Sequence, residues 1–261
     1  MERNRNRPEP VIDIRGVWFS YNGQSVLEGV NLVVPRGDFL VLIGPNGGGK
    51  TTLLKLILGL LAPRRGEIAV LGTSPPRAAH RVGYVPQNVH VNKSFPICVH
   101  DVVRMGRLGA GGGRMRPGAR REEEAAVRRA MEEMGVWELR RRRVGQLSGG
   151  QLQRAFIARA LVSRPEILLL DEAMASIDAQ GRAEFYDLLA ELNRSVTIVA
   201  VTHDTMMLSP RVKSVACVNR RLHHHAGGEI TPELLEAAYR CPVDLVAHGV
   251  PHRVFEVHRE G

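Results

Sequence analysis

The sequence is poor in lysine, cysteine, aromatic residues and long apolar runs, and each shortage narrows what the chain can be. Lysine occurs only at Lys50, Lys55, Lys93 and Lys213, although Lys and Arg together number 36. Against 27 Asp and Glu this leaves a formal charge of +9 carried almost wholly by arginine. Such an excess suits nucleic acid, anionic lipid or phosphate ligands, and alone it selects none of them. Three cysteines, Cys98, Cys217 and Cys241, are odd in number and far apart, which points to a reducing compartment. The longest stretch without Asp, Glu, Lys or Arg is 12 residues, Gly16 to Leu27. A transmembrane helix needs about 18 apolar residues, so none is expected. The opening MERNRNRPEP is charged and carries no apolar segment, so no secretory signal is expected and the chain reads as soluble and cytoplasmic. At 261 residues, with 44% hydrophobic and 24% charged content, it fits one globular domain, or one domain with a lobe.

What is present is a strand-helix alternation. Residues 11–17 and 25–34 partly alternate apolar and polar side chains, as half-buried antiparallel strands do. FLVLI at 39–43 reads as a buried central strand, and the apolar face that follows predicts a helix from about Gly49 to Leu60. Short strands are expected at 68–71 and 82–85. Helices are expected at 100–107, 121–135 and 149–163; between the first two lies GAGGGRMRPG (109–118), which is too rich in glycine for regular structure. Strands at 167–170 and 196–201 flank a further helix at about 179–193. The pattern predicts an α/β fold with a mainly parallel sheet and a helical insertion at 95–164.

Three motifs carry chemistry. Gly44-Pro45-Asn46-Gly47-Gly48-Gly49-Lys50-Thr51-Thr52 fits G-x-x-x-x-G-K-[ST] between a strand and a helix, the context that motif requires. Glycines let backbone N–H groups turn inward around phosphate oxygens, and the helix N-terminus adds partial positive charge. Lys50 is expected to reach the β- and γ-phosphates of a nucleoside triphosphate, and the Thr51 hydroxyl to ligate Mg²⁺. ILLLDE (167–172) ends a buried strand in two acids: Asp171 suits the Mg²⁺ shell, and Glu172 suits a general base for the attacking water. LSGGQ (147–151) places Ser148, Gly149, Gly150 and Gln151 at a second helix N-terminus, a second cradle for an anion.

The order and content of these motifs resemble the ATP-binding cassette (ABC) family over residues 11 to about 220. The resemblance implies a P-loop NTPase fold, with an antiparallel β subdomain and a helical subdomain, in a cassette spanning 11–240 and followed by a histidine-containing tail at 241–261. It implies ATP and Mg²⁺ as ligands, and a head-to-tail homodimer in which the signature of one subunit closes over ATP on the other. Residue by residue, Tyr21 in FSYNG matches the aromatic that stacks on adenine. Gln87 in YVPQ matches the glutamine that senses Mg²⁺ and water and links to the membrane subunit. Asp178 in SID matches a loop that contacts the opposite subunit's site, and His203 in VTHD matches the histidine that bonds the γ-phosphate. Glu172 is followed by Ala173 where family members commonly have proline, and catalysis is expected to survive that change.

The stretch FPICVHDVVRMGR (95–107) and the tail VNRRLHHHAGGEITPELL (218–235) further resemble cassettes of zinc, manganese and iron(II) importers. Siderophore, haem and cobalamin importers share part of the first. The resemblance thus implies an ATPase at the cytoplasmic face of the cell membrane, working with integral permease subunits and a substrate-binding protein, and no nucleic-acid partner. A soluble ABC ATPase acting on nucleic acid is an alternative whose only support is the +9 charge. A non-catalytic binding module would need a broken site, whereas Lys50, Asp171, Glu172 and His203 are all present. Six of ten histidines, His223, His224, His225, His248, His252 and His258, fall late in the chain with Cys241 among them. In an extended segment His223 and His225 share a face, as Zn²⁺ ligands would, but a solvated tail without a site is the favoured reading.

Overall fold

The computed structural model describes residues 10–87, 95–108, 118–173, 177, 179–202 and 211–226. Strands β1 (Pro10–Tyr21), β2 (Gln24–Pro35) and β4 (Arg65–Val70) form a three-stranded antiparallel sheet in the order β2-β1-β4. The second sheet has six strands in the order β5-β6-β7-β3-β8-β9: β3 (Phe39–Ile43), β5 (Val82–Val85), β6 (Ile167–Asp171), β7 (Thr197–Val201), β8 (Ser214–Asn219) and β9 (Arg221–Ala226). Its first five members are parallel, and β9 turns back antiparallel at the edge. The mainly parallel α/β sheet with an antiparallel companion agrees with the sequence. β8 and β9 were not anticipated, because the apolar run SVACV is followed at once by three polar residues, and then a single leucine and three histidines.

Helices α1 (Lys50–Ile57), α2 (Pro75–Ala78), α3 (Val99–Arg104), α4 (Ala119–Glu133), α5 (Gly149–Leu161) and α6 (Ala179–Leu192) fill the connections. α1 stops short of the expected Leu60 because the N–H groups of Leu60 and Leu61 both fold back onto the Lys55 carbonyl. Every residue of β3 and β6 is buried, which explains their unbroken apolar runs. Alternate residues feed two different cores. Val41, Leu170 and Ala200 face a core shared with α3, α4 and α5, while Leu42, Leu169 and Val199 face one shared with α1, β1 and β2. Each fully buried aliphatic side chain contributes about 1.5–3 kcal/mol, so the central strands are rigid supports for whatever their carboxyl ends carry. Gly106, just after α3, explains part of the M-G-R motif: a Cβ there would sit 1.9 Å from the Arg159 carbonyl of α5, so only glycine permits this close approach.

Candidate functional site

The carboxyl ends of β3 and β6 meet at a cleft of about 410 Å³ lined by residues 46–52, Gln87 and Glu172. β3 delivers the Gly44–Gly49 loop, and α1 begins directly after it, with Gly49 at the N-cap and no side chain capping that end. The loop follows its path because its back is occupied: a Cβ on Gly44 would lie 2.2 Å from the Val218 carbonyl oxygen, and one on Gly48 2.6 Å from the same atom. Lys50 is only 5% exposed. Its Nζ donates to the carbonyls of Gly44 (2.8 Å) and Pro45 (2.9 Å), so the ammonium is held inside the loop that precedes it. Burial pushes its pKa below the usual lysine value, while the carboxylates of Glu172 and Asp171 oppose that shift.

β6 supplies the acids. Asp171 Oδ1 accepts from the Thr51 hydroxyl at 3.1 Å, and Oδ2 accepts from the Tyr84 hydroxyl at 3.3 Å. Burial raises the Asp171 carboxyl above the ordinary range, and those two hydrogen bonds hold it partly down. Tyr84, desolvated and beside Asp171, is pushed up to about 12 and so remains a donor at any physiological pH. Tyr84 was not singled out from the sequence, although it stands three residues before Gln87 in YVPQ; its signal was its place on a strand adjoining β6. Glu172 leaves the strand with φ +48°, an uncommon left-handed conformation for a non-glycine residue, its N–H bonded to the Val201 carbonyl at 3.1 Å. That turn aims its carboxylate at the cleft, where Oε2 accepts a short hydrogen bond from the Gln87 amide. A hydroxyl and a carboxylate 3.1 Å apart beside a phosphate-binding loop form the hard oxygen set that Mg²⁺ takes.

Tyr21 stands at the tip of the β1–β2 hairpin, 44% exposed, its ring edge-on to Phe19 with centroids 4.8 Å apart. Its exposure leaves ring surface available to a flat partner. Ser148, Gly149, Gly150 and Gln151 open α5, and none of them is among the residues that line the cleft. Asp178, His203, Cys241, His248, His252 and His258 lie outside the described residues. His223, His224 and His225 lie on the edge strand β9, and among the described residues no group of three or more His, Cys, Asp or Glu is placed to hold a metal ion. A larger groove of about 910 Å³ between the end of α1, β4 and α2 has no phosphate-binding loop.

A family model described as ABC transporter matches residues 27–175. The chain is 39% identical over 217 residues to the zinc uptake system ATP-binding protein ZurA of Listeria innocua, covering 81% of this chain and 84% of that protein. It is 34% identical over 224 residues to the zinc import ATP-binding protein ZnuC of Saccharophagus degradans, covering 84% and 80%. Among solved structures, a metal-chelate type ABC transporter in an inward-facing conformation superposes with a TM-score of 0.79 at 27% identity, covering 92% of this chain and 93% of that one. The motif order, the cleft they build and these relatives agree: the chain belongs to the ABC transporter family, among its ATP-binding proteins.

Proposed function

We propose that this chain is the ATP-hydrolysing subunit of an importer for a divalent metal ion, with zinc as the first candidate cargo. It would act as a homodimer at the cytoplasmic face of the membrane, beneath permease subunits fed by a substrate-binding protein. The observation that carries the ATPase part is the convergence of Lys50, Thr51, Asp171, Glu172 and Gln87 on one cleft. Support for the cargo comes from relatives named for zinc uptake and import.

In this reading Tyr21 stacks on adenine, and the N–H groups of residues 47–51 bind the phosphates with Lys50. Thr51 and Asp171, with Gln87, would hold Mg²⁺, which would supply charge neutralisation on the phosphates. Once phosphates enter, Lys50 Nζ exchanges the carbonyls of Gly44 and Pro45 for phosphate oxygens. Glu172 Oε accepts the proton of the attacking water, and Gln87, which already bonds that carboxylate, orients it. His203 and Asp178 are proposed to complete the site on the γ-phosphate and from the partner copy. Phe95, Met105 and Leu108 expose apolar surface at the two ends of α3, 57%, 45% and 79% exposed, as a permease-facing segment would. No helix among the described residues is long and apolar enough to cross a membrane, so the spanning part belongs to other subunits in this reading. The test is reconstitution with a partner permease and a metal-loaded binding protein. Zinc-loaded binding protein should raise ATP turnover and drive zinc uptake; stimulation by a chelate and not by zinc would overturn the cargo assignment.

A further inference from the structure

The apex of the last hairpin is tied to the phosphate loop. β8 and β9 pair with Val218 opposite Leu222 and Asn219 opposite Arg221, leaving Arg220 alone at the turn. Its φ is +57°, a left-handed conformation that costs any residue with a Cβ. The backbone hydrogen-bonding groups of Arg220 are spent outside its own hairpin. Its N–H donates to the Gly48 carbonyl at 3.1 Å, and its carbonyl accepts from the Glu28 N–H at 2.8 Å. The residue just before the turn pair, Val218, presents the carbonyl that would meet a Cβ on Gly44 or Gly48. On the loop's other flank, a Cβ on Gly49 would lie 2.7 Å from Leu27 Cδ2 and 3.1 Å from the Val26 carbonyl, both on β2. The phosphate loop is thus wedged between β2 and the hairpin apex, and Arg220 joins all three. β2 begins at Gln24, which pairs with Tyr21.

We propose that Arg220 is a positioning residue for ATP: its left-handed backbone fixes the phosphate loop against β2 and so sets the loop's distance from Tyr21. The inference rests on the assignment of the cleft as the ATP site. Its side chain is exposed and forms no ion pair among the described residues, so the backbone conformation carries the effect and the guanidinium does not. Glycine at this position keeps both the N–H and access to the left-handed region; proline removes the N–H and forbids the φ. Valine keeps the N–H and disfavours the φ.

The experiment measures ATP hydrolysis by the full chain over a range of ATP concentrations for R220G, R220P and R220V, with thermal midpoints as the folding check. R220P should raise KM about tenfold, the equivalent of about 1.4 kcal/mol for one lost backbone hydrogen bond, with kcat within about twofold. R220G should stay within about twofold of the parent on both. Where R220P does not fold, R220V carries the test, with KM expected to rise about threefold. A parent-like KM in both R220P and R220V overturns the proposal, as does an R220G as impaired as R220P, which would make the guanidinium the working group. A fall in kcat at unchanged KM also overturns it, because that reports a smaller folded fraction. K50A run alongside separates the two levels. Undiminished ATP affinity in K50A removes the site assignment and this inference together, whereas impaired K50A with parent-like R220P and R220V removes only the role of Arg220.

Discussion

The two helix N-termini that the sequence marks as anion cradles are built in opposite ways. α1 begins at Gly49 with no side-chain cap, behind a glycine loop and a lysine buried to 5% exposure. α5 begins at Ser148 with a complete capping box: Ser148 Oγ accepts from the Gln151 N–H at 3.3 Å, and Gln151 Oε1 accepts from the Ser148 N–H at 3.2 Å. An uncapped end with donors and a cation aimed into a cleft is organised for an anion within its own chain. A capped and exposed end has satisfied itself. A phosphate arriving there must be brought by another molecule and must take over hydrogen bonds that Ser148 and Gln151 now give each other. In the proposed dimer that molecule is a second copy of the chain, presenting ATP on its own loop.

The comparison breaks first at Lys50. If the α1 cradle alone binds ATP within one chain, K50A should lower ATP hydrolysis by at least about 100-fold, since it removes the buried cation at the phosphates. Equilibrium binding of a fluorescent ATP analogue should fall with it. Hydrolysis at the parent rate would show that the loop is not the nucleotide site. E172Q sharpens the comparison from the other side. Without a proton acceptor, turnover should fall by about 10²–10⁴-fold while ATP binding persists, so the dimer holding two ATPs should accumulate and be visible by light scattering. An E172Q protein that hydrolyses normally and stays monomeric at saturating ATP would remove both the base and the two-chain site.

Ser148 gives a smaller effect with two parts. S148A removes the cap on α5 and should cost about 0.5–2 kcal/mol of stability, read as a lower thermal midpoint without nucleotide. If α5 also meets ATP across a dimer, S148A should slow hydrolysis while leaving the ATP affinity of the single chain unchanged. Equal loss of monomer affinity would mean that the two cradles lie in one chain's site after all.

The α1 half of this comparison was fully legible in the sequence, and the α5 half only in part. Gly44–Thr52, Asp171 and Glu172 are contiguous motifs whose strand and helix context is also written locally, so their convergence follows once β3 and β6 are known to be buried neighbours of β7 in a parallel sheet. Ser148 and Gln151 were legible as a helix start, but their mutual capping depends on side-chain rotamers that no pattern encodes. Tyr84 and Arg220 escaped for a different reason. Each acts through a residue far away in sequence, Asp171 for Tyr84 and the loop residue Gly48 for Arg220, and sheet order brings these partners together. The left-handed conformations of Glu172 and Arg220 were also invisible, because neither residue type favours them and only the surrounding sheet imposes them.

The smallest expected effect concerns the pH range over which the α1 cradle works, and Tyr84 is the lever. In the proposed site, Mg²⁺ at Thr51 and Asp171 would require an ionised Asp171, and burial raises the pKa of that carboxyl. Affinity for MgATP should therefore begin to fall, as the pH is lowered, above the pH at which an exposed aspartate would protonate. The sign for stability is the reverse. A carboxyl whose pKa is raised on folding favours protons in the folded state, so through this group the nucleotide-free chain gains stability as the pH falls through its titration. The Tyr84 hydroxyl, itself pushed up to about 12 and so always a donor, is one of two bonds that favour the ionised form. Y84F should move the acid limb of MgATP binding toward neutral pH and, within that limb, weaken binding about two- to tenfold, the worth of one hydrogen bond. At pH well above the limb the two proteins should bind alike. Calorimetric titration of MgATP at a series of pH values would show this, and an acid limb that Y84F leaves in place would mean that the Tyr84 hydroxyl does not tune Asp171.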